Sequence, residues 1–130
     1  MAHRSFARFI AAATMLGALG ALPACGAEQD DRPAELDYIV QTILAPACGT
    51  PACHSSSIQT AGFALDTIDA TRQAIADKGL VIAGEPESSS LLYVMTGDTE
   101  ERMPPDGPLP DADIEFIRAW IAAGAEGVSP

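Results

Sequence analysis

Residues 45–55 read APACGTPACHS and gather Cys48, Cys53 and His54 into one short segment. The order C-x-x-x-x-C-H is two residues longer than the C-x-x-C-H run of covalent haem attachment. In that chemistry two cysteine sulfurs bond the porphyrin vinyl groups, and the histidine after the second cysteine ligates iron. The second attachment fixes the backbone at the ring edge, so the adjacent side chain can reach over the ring plane. The first cysteine has only to reach the other vinyl group. Gly49, Thr50, Pro51 and Ala52 are small or turn-forming and suit a bulge between two fixed ends.

The same residues admit other fates. A Cys48–Cys53 disulfide is open to an exported chain. Zinc is poorly supplied, because structural sites take four Cys or His ligands and His54 is the sole histidine beyond the N-terminal segment. Thiol catalysis lacks a second histidine as base. The serines that follow in HSSS are neighbours of His54 in sequence, which is not triad geometry.

Downstream, TGDTEERMPPDGPLP places Met103 directly before two prolines. Pro104 disfavours helix at Met103, so the thioether is presented on a stiff loop. A thioether opposite histidine is an axial pair for haem iron, and that pair raises the reduction potential. Met95 differs. It falls on an apolar helical face and reads as core filling.

Helical signals flank these loops. Leu36, Ile39, Val40, Ile43 and Leu44 recur at i, i+3, i+4, i+7, i+8, which predicts a helix that Pro46 stops before Cys48. A second helix is expected over 66–78, with Ile68, Ala74 and Ile75 inward and Gly79 closing it. LVIAGEPESS is expected to be extended. Ser88 is expected to cap a short helix carrying Leu91, Leu92 and Met95. In DADIEFIRAWIAAGA, Asp111 and Asp113 favour the start of a helix. Ile114, Ile117 and Ile121 line one face of it, Phe116 and Trp120 pair at i, i+4, and Gly124 ends it. No strand ladder is evident. So small a core among such long loops points to a cofactor or a disulfide at the centre.

The N-terminal segment reads as an address. Arg4 and Arg8 precede an apolar run from Phe9 to Leu22, which suits a secretion signal and is short of the ~20 residues of a spanning helix. Leu22-Pro-Ala-Cys25 resembles a lipobox, predicting cleavage after residue 24 and a lipid on Cys25; ordinary signal peptidase cleavage is the alternative. Gly26 lacks the aspartate associated with inner-membrane retention, which points to the outer membrane, facing the periplasm. Residues 25–34 read as a tether, and 35–127 as one domain. Beyond residue 24, five Lys and Arg stand against 18 Asp and Glu, a net charge of −13. That excludes nucleic acid as a partner and favours a partner with a basic face, or simply keeps the surface soluble.

With these pieces in order, the chain resembles the small cytochrome c domains of exported bacterial proteins, particularly planctomycete-type and myxobacterial forms. The resemblance spans roughly 36–126, through IVQTILAPAC, AGFALDT, AGEPESSSLLYVMTG and RMPPDGPLPDADIEFIRAWIAAGA. It implies an all-α, cytochrome c-like fold of three to four short helices with long loops around a haem, the N- and C-terminal helices crossing. It implies haem c, with Cys48 and Cys53 as thioether residues, His54 as proximal ligand and Met103 as distal ligand. Trp120 would lie near the haem edge, and Leu65 and Leu92 would line the pocket. The implied role is one-electron transfer between redox proteins, not enzyme catalysis. The alternative is a haem-free helical binding or scaffold lipoprotein with a Cys48–Cys53 disulfide.

Overall fold

The structure, a computed structural model, describes residues 30–97 and 100–129. The expected signal segment and the lipidation site at Cys25 lie outside the described residues. Those residues form four helices and no strand, and no helix among them is long and apolar enough to cross a membrane.

Helix α1 covers 36–47 as one continuous rod: α-helix over Leu36–Ile39, a wider π turn over Val40–Leu44, and a last α turn over Ala45–Ala47. In the π turn the Ala45 N–H donates to Val40 O, five residues back. Pro46 therefore does not stop the helix as the sequence predicts. It enters where the regular ladder is already interrupted, so its missing N–H costs less there. The predicted apolar stripe is fully interior, with Leu36, Ile39, Val40, Ile43 and Leu44 all buried.

Helix α2 is Ile68–Lys78, capped by Thr67 Oγ1, which accepts from Ala70 N–H at 3.2 Å. This cap is why the helix starts two residues after Asp66. Gly79 closes it at φ 62° as expected. Helix α3 is Ser90–Thr96, with Ser89 at its cap position in place of Ser88. The buried Ser89 hydroxyl binds backward, accepting from Ile82 N–H and donating to Glu85 O, both at 2.9 Å. It thereby ties the 82–85 segment to the start of α3.

Helix α4 is Asp111–Ala122 and buries Ile114, Phe116, Ile117, Trp120 and Ile121. It packs against residues 32–38. The Tyr38 and Phe116 rings meet edge to face at 6.0 Å. Arg32 lies 4.1 Å over the Phe116 ring and donates to Asp113 and to Ala112 O. Glu126 O accepts both Leu36 N–H and Trp120 Nε1–H, each at 3.1 Å. The first and last helices are thus joined around a single apolar core.

Candidate functional site

Cys48 and Gly49 follow α1 directly, and both amides donate to Leu44 O, at 2.7 and 2.9 Å. This turns the Cys48 side chain inward. Gly49 then passes so close to the 65–66 backbone that a Cβ there would lie 2.6 Å from Asp66 Cα. Only a residue without a side chain fits at that approach. The chain next folds back: Cys53 N–H donates to Thr50 O at 2.9 Å, and His54 N–H to Cys48 O at 3.0 Å. Pro51 and Ala52 are exposed at the tip. The long cysteine spacing is therefore taken up as an outward bulge closed at its base.

His54 is held on all sides. Its own carbonyl accepts Leu65 N–H at 2.7 Å. Ring Nδ1 lies 2.8 Å from Thr60 O. A carbonyl only accepts, so Nδ1 carries the proton and Nε2 keeps its lone pair. Phe63 stacks on the imidazole at 4.2 Å, with the two planes 12° apart. Thr60 O reaches the ring because Gln59 and Ala61 adopt left-handed backbone, at φ 52° and 60°. Such conformations are unfavourable for non-glycine residues. The loop is anchored further by Asp66, whose carboxylate accepts Ser56 N–H and Ser56 Oγ–H, both at 2.6 Å. Those two bonds hold the Asp66 carboxyl below its ordinary range.

Met103 approaches from the second loop, where its N–H donates to Val94 O at 2.8 Å. It is 38% exposed, unlike the buried Met95. Two adjoining apolar cavities lie between the loops. One, of about 240 Å³, is walled by Cys48, His54, Leu65, Leu91, Met95 and Met103, among others. The other, of about 210 Å³, is bounded by Cys48, Cys53, His54, Met103, Pro104 and Pro105, among others. Taken together they reach the size of a small-molecule or cofactor site. All four residues singled out from the sequence for cofactor binding are thus brought to one place.

Other expectations are corrected here. Leu65 lines the larger cavity, but Leu92 is turned into the core and its neighbour Leu91 takes the lining position. Trp120 lines neither cavity and is engaged with Glu126 O. Phe63 and Thr60 escaped sequence reading. An aromatic residue nine positions after His54 carries no motif, and a carbonyl partner leaves no trace in side-chain identity.

Cys48 and Cys53 are free thiols here, Cys48 buried and Cys53 half-buried. Burial, reinforced by Cys53, pushes the Cys48 thiol up to about 11. Among the described residues no three His, Cys, Asp or Glu side chains cluster closely enough to hold a metal ion. The donor set fits an iron porphyrin: an imidazole oriented by a hydrogen bond at Nδ1, a thioether from a distant loop, and apolar walls with thiols at one edge.

A small helical protein whose loops converge a histidine, a methionine and two cysteines on an apolar space has the makings of a c-type haem protein. Residues 51–107 match the family described as planctomycete cytochrome C, so that stretch is similar to a small cytochrome c-type domain. The matched stretch includes Cys53, His54 and Met103 and begins after Cys48. No curated protein and no solved structure matches the chain.

Proposed function

We propose that this protein is a monohaem c-type cytochrome that moves single electrons between redox proteins, with His54 and Met103 as the axial ligands and Cys48 and Cys53 as the thioether residues. The observation that carries this is the joint presence of Cys48, His54 and Met103 on the walls of both apolar cavities. When bound, the haem supplies a reversible one-electron couple. The protein's part is to hold, orient and shield. Thr60 O keeps the proton on Nδ1 and so presents Nε2. The 97–110 loop brings the thioether from the opposite side of the sequence. Leu65, Leu91 and Met95 exclude water, which with the thioether favours the less charged, reduced state. His54 and Met103 would both be given to the iron, and the bound group would then serve electron transfer and not substrate binding.

The setting follows from the rest of the chain. The protein is exported, anchored through a lipid on Cys25 to a membrane facing the periplasm, the outer membrane. Its acidic surface, −13 beyond residue 24, docks redox partners with a basic face.

The test is expression with a c-haem maturation system. A Soret band and haem that stays with the denatured chain are expected, and Met103→Ala changes the ligand-field spectrum and lowers the potential. A colourless, folded protein whose mass shows only the loss of two hydrogens at Cys48 and Cys53 overturns the reading in favour of a disulfide-bridged, haem-free module. A haem spectrum unchanged in Met103→Ala removes Met103 as ligand.

A further inference from the structure

Three of the four residues before Phe63 are left-handed: Gln59 at φ 52°, Ala61 at 60° and Gly62 at 77°. Two of them are not glycine, and such backbone persists only where the surroundings impose it. Gly62 N–H closes the turn on Gln59 O at 2.7 Å, and Phe63 leaves it extended, at φ −151°. The turn delivers two contacts to one imidazole. Thr60 O meets the His54 ring edge at Nδ1, 2.8 Å away, and Phe63 lies against the ring face at 4.2 Å with the planes 12° apart. The two contacts are not equivalent. A hydrogen bond to a carbonyl tolerates a broad range of directions, so the Thr60 bond alone lets the ring plane swing about the Nδ1–oxygen line. A parallel aromatic face removes that swing, and stacked rings attract beyond their buried area. Phe63 is itself braced, half-buried against the apolar core. It also stands between two cavities. One is the apolar space of about 240 Å³ that His54 walls; the other, of about 360 Å³, is polar and lined by Gln59, Asp69, Gln73, Asp77 and Lys78, among others. A smaller residue at 63 would join them and open the imidazole face to the polar side.

We infer that Phe63 is a positioning residue that sets the plane of the His54 imidazole. Its consequence at the metal rests on the haem reading of the site; the ring stack itself does not. An axial imidazole can turn about its bond to iron, and the plane it settles in decides which iron d orbitals its π electrons meet. Groups behind a ligand that fix its orientation tune the metal in this way. Thr60 O fixes which ring nitrogen is turned to the site, and Phe63 fixes the angle of the ring.

The experiment compares the full-length protein with its Phe63→Leu and Phe63→Tyr variants, each haem-free and haem-loaded. Leucine keeps an apolar wall without a ring; tyrosine keeps the ring and has room for its hydroxyl on the side of the polar cavity. In the haem-free parent and in Phe63→Tyr, proton NMR shows the His54 ring protons shifted upfield, shielded by the stacked ring. In Phe63→Leu that shift is lost. Oxidised, haem-loaded Phe63→Leu retains its haem and the parent's absorption spectrum, but its g anisotropy in low-temperature electron paramagnetic resonance changes, and Phe63→Tyr returns the parent's values. A parent whose His54 protons lack the upfield shift overturns the assignment, whether or not either variant folds. An unchanged g anisotropy in Phe63→Leu overturns it too, as does an equal change in both variants. A parent that shows the upfield shift but takes up no haem overturns the function proposed above together with the role of Phe63 at the metal, whereas the earlier results overturn the Phe63 assignment alone.

Discussion

Gly49 is where the cysteine–histidine bulge is held shut, and Gly49→Ala tests that directly. The added Cβ would lie 2.6 Å from Asp66 Cα, 2.8 Å from Asp66 N and 2.9 Å from Leu65 C. Carbon atoms rest at ~3.5–4.0 Å, so the overlap is close to 1 Å against main-chain atoms that cannot rotate aside. Overpacking of this kind costs ~1–3 kcal/mol, and a backbone partner places the change near the upper end, at about 3 kcal/mol. For a domain of this size each kcal/mol moves the midpoint by ~4–8 °C, so a loss of roughly 12–24 °C is expected. Thermal and urea unfolding followed by far-ultraviolet circular dichroism measure it, with an unchanged urea slope showing that the folded state alone was affected. Gly107→Ala is the matched control. A Cβ there meets nothing within 4 Å and φ is not left-handed, so that variant should be neutral or up to ~1 kcal/mol more stable. A Gly49→Ala protein that melts with the parent would refute the close approach and, with it, the explanation of how the long cysteine spacing is accommodated.

Four other outcomes follow from the same structure. In the haem-free thiol form, iodoacetamide at pH 8 should label Cys53 well before Cys48, because burial holds the Cys48 thiol at about 11 against an ordinary 9.0; mass spectrometry of the peptides reads the order. That raised value means the folded state keeps a proton the unfolded chain gives up, so stability is unaffected below pH 9 and declines by ~1.4 kcal/mol per unit from there toward pH 11, a trend absent in Cys48→Ala. Arg32→Ala should cost about 1 kcal/mol through the lost Phe116 stacking and Asp113 pairing, and the difference from the parent should shrink in high salt. The lowered Asp66 carboxyl contributes in the opposite pH sense. Its two bonds to Ser56 are intact above its ordinary 3.8 and are lost as pH falls through the lower folded value, which amide exchange at Ser56 would register and Asp66→Asn would abolish.

The parts of the fold that were legible in the sequence are those where one side chain answers to one environment. The stripe from Leu36 to Leu44 and the Ile114–Ile117–Ile121 face report burial directly, and Gly79 reports its left-handed closure. Met103 stood out because Glu100-Glu101-Arg102 and Pro104-Pro105 leave no helix to bury it in. What stayed hidden depends on the backbone. Pro46 continues α1 because a π turn precedes it, and no side chain announces that turn. Ser89 displaces Ser88 as the cap residue because its hydroxyl is drawn to Ile82 and Glu85, a choice made by the fold of the preceding loop. Gly49 looks like any loop glycine until the Asp66 backbone is laid beside it. Phe63 and the Thr60 carbonyl complete the His54 environment only after Gln59 and Ala61 turn left-handed.

That last arrangement makes the tautomer of His54 hard to lose by point mutation. Its acceptor is a peptide oxygen, which every amino acid at position 60 would supply, so the vulnerability moves to the neighbours that steer the strand of atoms. A β-branched residue at 59 or 61 would misdirect the carbonyl and free the imidazole to swivel, while glycine at either place would preserve its aim. Engineering of this centre has wide latitude at Thr60 itself and little on either side of it.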